Sequence, residues 1–137
     1  MEQAPELEDL TLRFYEALAR GDVATLEDLV SRGEGVLSIG TDPAEWWDDP
    51  ASLRRALRAQ TAELNGVQVT PGQVRAYREG TVGWAADRPT FRFANGLEVP
   101  LRLTTVFHQE HGAWKLVQSH ASVAVRNEDM VGKTLTT

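Results

Sequence analysis

Residues 101–123 read LRLTTVFHQEHGAWKLVQSHASV. Apolar and polar side chains alternate on both sides of His111-Gly112, which predicts two strands joined by a tight turn. With the turn centred near His111, facing residue numbers sum to about 222. Trp114 then faces His108, Leu116 faces Val106, Gln118 faces Thr104 and His120 faces Arg102. Cross-strand partners share a face, so Arg102, Thr104, Gln118 and His120 form one polar patch beside Val106, Trp114 and Leu116. The opposite face carries Leu101, Leu103, Phe107, Val117, Ala121 and Val123. Both faces are substantially apolar, which a sheet with one wet face does not require. We assign the first face to a core and pocket beneath helices. The second, more uniformly apolar face is assigned to a second copy of the chain, because too few helices are available to cover both.

Upstream of this pair, Asn95-Gly96 is a strong hairpin signal. A two-residue turn there sets Asp87 opposite Thr104 and diagonal to Arg102, within reach of an ion pair. Pro89 lies between and invites a bulge, in which case Trp84 points inward instead of Asp87. VQV, QVRAYR, TVGWAAD and FRF continue the period of two, with a further turn at Glu79-Gly80.

Before residue 66 the period is helical. Leu7, Leu10, Phe14 and Leu18 form one stripe, Gly21 stops that helix, and Asp22 is placed to cap the next. VLSIG at 36–40 reads as a strand. In TDPAEWWDDP, Asp42, Pro43 and Glu45 have capping-box spacing and predict a one-turn helix carrying Trp46 and Trp47. Adjacent helical residues point about 100° apart. One ring therefore plugs a pocket mouth and the other lies over the outer edge, and Trp46 is assigned to the pocket wall. Asp49-Pro50 opens a third helix, ended by Asn65-Gly66.

Helices followed by an antiparallel meander make the chain α+β. The expected form is a cone-shaped barrel: three N-terminal helices on a strongly bent, mainly antiparallel sheet of four to six strands. One domain spans residues 1–126, followed by a frayed tail at 127–137. The chain has 137 residues, 42% hydrophobic and 25% charged, enough for a single core. Its net charge of -6 argues against nucleic acid as a partner, and its 12 Arg against 2 Lys read as composition bias. No apolar run approaches the roughly 20 residues of a membrane span. The acidic N-terminus lacks the pattern of a signal peptide, so the expectation is a cytoplasmic protein. There are no cysteines. Three scattered histidines lack metal-ligand spacing, so we expect neither a metal nor a cofactor.

FYEALARGDVATLEDLV, SIGTDPAEWW and the 101–123 pair together resemble the SnoaL-like branch of the nuclear-transport-factor-2-like superfamily, over about residues 6–125. The resemblance implies a cone-shaped α+β barrel, a pocket between helices and sheet, and frequent dimers. It also implies a family that holds ketosteroid isomerase, polyketide cyclases, dehydratases and epoxide hydrolases. The isomerase tyrosine falls at Phe14 here, with Tyr15 one step off. Its late-strand acid falls near Thr104 or Thr105, and its base matches only Asp42, so that constellation is not supported. The family's HxH is broken by Gln118.

These readings converge on a pocket for a compact, mostly apolar molecule with one polar or anionic group. Trp46, Trp114 and Leu116 form its apolar wall. Arg102, Thr104, Gln118 and His120 form its polar end, with Asp87 positioning Arg102. An isomerase, dehydratase or cyclase using His120 for proton transfer and Arg102 for charge stabilisation is the alternative, and a ligand-free assembly module is another. His120 reads equally as a buried structural histidine.

Overall fold

The computed structural model describes residues 1–137. Its elements run β1 (Glu2–Gln3), α1 (Pro5–Arg20), α2 (Val23–Leu29), β2 (Leu37–Ile39), β3 (Trp46–Trp47) and α3 (Pro50–Glu63). They continue as β4 (Gln68–Thr70), β5 (Arg75–Glu79), β6 (Val82–Asp87), β7 (Thr90–Arg92), β8 (Glu98–Pro100), β9 (Arg102–Glu110), β10 (Ala113–Ser122) and α4 (Asn127–Val131). The architecture is α+β with four helices and a mixed seven-stranded sheet, ordered β1-β5-β6-β9-β10-β2-β3. Only β2 runs parallel to its neighbour β10 among these pairs. A second sheet of three strands has the order β4-β7-β8.

Helix α1 forms where the stripe predicts it. It buries Leu7, Leu10, Thr11, Tyr15 and Ala17 on one face, begins at Pro5, and ends at Gly21 in the left-handed conformation (φ 68°). Asp22 caps α2 by accepting the Thr25 N–H at 3.1 Å, and Asp49 caps α3 by accepting the Ser52 N–H at 2.7 Å. The core gathers Leu7 and Leu10 of α1, Leu29, Val30, Val36 and Leu53, and Ala76, Ala85, Phe107 and Leu116 of the sheet. Gly83 lets α1 sit this close, since a Cβ there would lie 2.1 Å from Leu7 Cδ1.

Several local expectations change. The stretch 42–47 is a turn and a strand rather than a one-turn helix. Glu45 Oε1 does accept the Asp42 N–H at 2.7 Å, and Asp42 Oδ1 accepts the Ala44 N–H at 2.8 Å. The capping contacts therefore close a turn. The Gly40 N–H then donates to the Glu45 carbonyl, and Trp46–Trp47 pair with Ser38–Ile39 as an antiparallel strand. The main sheet has seven strands rather than four to six because β1 adds to one edge and β2 and β3 to the other. After Pro89, which offers no N–H to a ladder, β7 joins the second sheet. Residues 127–131, expected to fray, form α4.

The register of the two decisive hairpins also differs. His111 (φ 49°) and Gly112 (φ 81°) make a two-residue turn with both φ positive, the geometry that matches strand twist. Leu116 therefore faces Phe107, not Val106. The register then shifts between Leu116 and Gln118, after which Gln118 faces Val106, His120 faces Thr104 and Ser122 faces Arg102. At the other hairpin the Phe93 N–H bonds to the Leu97 carbonyl across three residues, ending in Gly96 at φ 86°. That added residue sets Asp87 opposite Leu103 rather than Thr104.

The assignment of the faces is also reversed. Leu103, Thr105, Phe107, Leu116, Ser119 and Ala121 face the helices. Arg102, Thr104, Gln118 and His120 do share a face, as read, but it is the exposed outer one. The more apolar side is the one the helices cover, as the free energy of burial favours.

Candidate functional site

Between the helices and the two sheets lies a cavity of about 450 Å³. Helix α1 lines it with Phe14, Tyr15 and Leu18, and α3 with Leu53, Leu57, Gln60, Thr61, Glu63 and Leu64. The β2–β3 segment adds Ile39, Thr41, Glu45 and Trp47. The second sheet supplies Phe91, Phe93 and Val99, with the two rings 6.5 Å apart and tilted by 56°. The main sheet and its flanks supply Leu101, Leu103, Thr105, Leu116, Ser119, Ala121 and Val123. None of the lining side chains is Lys, Arg or His, and two are glutamates.

Few polar groups reach this surface. The Tyr15 hydroxyl donates to Asp87 Oδ2 at 2.8 Å. Asp87 is buried, and the Gly72 N–H approaches the same oxygen at 3.3 Å. Asp87 Oδ1 has no protein partner. Burial pushes the Tyr15 phenol above its ordinary value of 10, and the hydrogen bond and negative charge of Asp87 add to the shift. Tyr15 is therefore a protonated donor at neutral pH. Across the cavity, Gln60 Nε2 donates to Glu45 Oε2 at 2.6 Å, which ties α3 to the β2–β3 turn. The Ser38 and Ser119 hydroxyls lie 2.9 Å apart. Thr105 Oγ1 is buried without a protein partner.

Of the eight residues assigned to a pocket from the sequence, only Leu116 lines this cavity. Asp87 is inside, but it is held by Tyr15 and not by Arg102. Arg102 lies outside, its Nε donating to Ser122 Oγ at 3.2 Å. Thr104, Gln118 and His120 are exposed on the same outer face. The cause is which face the helices cover: these four side chains share a face as read, and it is the one left outside. Trp114 packs half-buried against the core with the Arg78 guanidinium 5.3 Å from its ring. Trp46 is 66% exposed, and it is Trp47 that faces the cavity, because a strand sends neighbours to opposite sides.

Tyr15, Trp47, Thr105 and Ser119 were missed. The Tyr15 signal was present: Thr11, Tyr15 and Leu18 fall at spacings of four and three on the buried side of α1. Thr105 falls in step with Leu103 and Phe107 on β9, so its side follows from which face the helices cover, and periodicity does not decide that. No group of three or more His, Cys, Asp or Glu side chains comes together as a metal site. No helix is long and apolar enough to cross a membrane.

Comparison with known proteins agrees with this architecture. A family model described as a SnoaL-like domain matches residues 7–126. No curated protein matches the sequence. An NTF2-like protein of unknown function from Pseudomonas putida is 13% identical, with a TM-score of 0.80 over 96% of this chain and 92% of that one. A putative dehydratase of the NTF2-like family from Streptomyces avermitilis is 21% identical, with a TM-score of 0.77 over 89% and 99%. A putative ketosteroid isomerase from Shewanella frigidimarina is 17% identical, with a TM-score of 0.70 over 83% and 92%. A putative calcium/calmodulin-dependent protein kinase II association domain from Xanthomonas campestris is 18% identical, with a TM-score of 0.74 over 90% and 95%. Identities this low speak to the fold alone.

Proposed function

The chain belongs to the SnoaL-like domain family, and from that premise we propose that its cavity binds a compact, mostly apolar, uncharged small molecule. The observation that carries this is the chamber of about 450 Å³ with apolar walls and no cationic lining residue. That volume falls within the range of small-molecule sites. In this reading the helices and the bent sheet enclose it as a cone. An anionic ligand is disfavoured here, because a carboxylate entering this chamber would lose water without gaining a cation. A ligand at about a hundred times its dissociation constant stabilises the fold by about 2.7 kcal/mol. Thermal denaturation of the full chain against a panel of neutral bicyclic and tricyclic compounds tests this. Raised midpoints for neutral members, and none for their carboxylates, are expected. A panel in which no member shifts the midpoint overturns the reading.

A second reading, acid/base catalysis, is favoured by one observation, the Tyr15–Asp87 hydrogen bond at the cavity wall. Solved proteins of similar fold carry the names dehydratase and ketosteroid isomerase. In this reading the Tyr15 oxygen accepts a proton from the substrate as its own proton passes along the existing hydrogen bond to Asp87 Oδ2. His120 and Arg102 take no part, since they occupy the opposite side of the sheet. Loss of turnover with retained binding in Tyr15→Phe is the expected result, and undiminished turnover overturns it.

The outer sheet face serves a second copy of the chain. Tyr77, Trp84 and Val106 stand half-buried there beside exposed Leu37 and Val82, and no helix covers them. The similar solved chains named as association domains lend this support.

A further inference from the structure

Leu53, Leu57 and Leu64 of α3 line the cavity at helical spacing, and Gln60 and Thr61 stand between them. Thr61 donates its hydroxyl proton to the Leu57 carbonyl of the same helix. Gln60 instead reaches the β2–β3 turn, where its Nε2 donates to Glu45 Oε2 at 2.6 Å. Glu45 is itself held, because its Oε1 accepts the Asp42 N–H at 2.7 Å. A carboxylate only accepts, so the Gln60 NH2 must face Glu45 and the amide cannot reverse. The Gln60 carbonyl oxygen, Oε1, is therefore fixed on the free side of the bridge. No protein donor reaches it, and it is not among the buried atoms that lack a partner. It keeps accessible surface, on a half-buried side chain of the cavity wall.

Resting on the small-molecule reading, we propose that the Gln60–Glu45 bridge gives the cavity an accepting edge, which selects neutral ligands that bring an O–H or N–H. The wall has few protons to offer. Tyr15 donates to Asp87, and Thr61 to its own helix. The lone pairs of Gln60 Oε1 and Glu45 Oε2 outnumber the one Gln60 amide proton left over. A donor that leaves water and finds no acceptor loses free energy, and here it finds one already oriented.

Calorimetric titration of the full chain with naphthalene, 2-naphthol and 2-methoxynaphthalene tests the assignment. The naphthol should bind about tenfold more tightly than naphthalene, the worth of one net hydrogen bond. The methyl ether accepts but cannot donate, and should bind more weakly than the naphthol despite its added methyl. Glu45→Gln keeps an oxygen for the Asp42 N–H and turns an NH2 toward Gln60, whose amide then reverses to accept. The edge becomes a donor, so the naphthol's advantage over the ether should vanish or invert while naphthalene affinity stays unchanged. Equal affinity of wild type for naphthol and ether, or tighter binding of the ether, overturns the accepting edge and leaves the cavity reading intact. So does an advantage that survives undiminished in Glu45→Gln. Should that variant not fold, the wild-type comparison decides alone. Failure of all three compounds to bind overturns the edge together with the cavity reading beneath it.

Discussion

Tyr15 and Asp87 lie 72 positions apart and meet at 2.8 Å. A buried carboxylate is costly unless hydrogen-bonded, so this one contact matters more than its length suggests. Tyr15→Phe should destabilise the protein by about 1–3 kcal/mol, read by urea denaturation, because it leaves Asp87 with the longer Gly72 contact. The phenol also sets a pH dependence. Its folded value is raised, so its contribution is whole below the ordinary value of 10 and is lost as pH rises beyond it. Wild type should therefore lose stability above about pH 10 more steeply than Tyr15→Phe does. Parallel alkaline profiles for the two proteins would contradict this. The sequence placed both residues on recognisable elements and did not pair them. Asp87 was given to Arg102 because a single residue of turn length decides which side of the sheet it meets.

At the level of elements, two features position the site. The first is the close seat of α1 on the sheet. Gly83→Ala would place a methyl 2.1 Å from Cδ1 of the fully buried Leu7, so that side chain or the helix carrying it must shift. Overpacking of this kind costs about 1–3 kcal/mol, and a lowered denaturation midpoint measures it. A midpoint unchanged from wild type would mean that α1 yields without cost. The second is the cap of α3, the helix that walls the cavity. The Ser52 hydroxyl and backbone N–H hold the Asp49 carboxyl below its ordinary value of 3.8. The cap's contribution is therefore present above that value and lost as pH falls through the lower folded one. Asp49→Asn keeps an acceptor and cannot titrate, so its melting temperature should fall less on acidification than wild type's. The helices, their caps and most turn positions were legible, because each rests on a few neighbouring residues. The Asp42–Glu45 contacts were legible too. Whether they open a helix or close a hairpin was not, because the pairing of Trp46–Trp47 with β2 is a tertiary event.

For the whole molecule, the division between covered and uncovered sheet faces is the main consequence. Trp84→Glu places a charge in the middle of the outer apolar strip, so a dimer formed there should dissociate to monomers by light scattering. Cavity binding of a neutral bicyclic compound should persist in that variant, because the two faces lie on opposite sides of one sheet. An unchanged dimer mass would move the interface elsewhere. Binding lost together with the dimer would show that the cavity needs both copies.

The sequence by itself determined the α+β class, the three helices before residue 66 and the strands after it, the family resemblance and the grouping of Arg102, Thr104, Gln118 and His120 on one face. The resemblance rests on the quoted motifs, and the rest follows from periodicity and turn chemistry, which act over a few residues. Tertiary structure decided which sheet face is covered, and with it the cavity residues that the sheet supplies, whereas Phe14 and Leu18 of the cavity lie on the stripe that the sequence shows. A strand's side chains alternate with a period of two, so one residue more or less in a turn, or one bulge, exchanges inside for outside. Only packing against α1 and α3 fixes that choice.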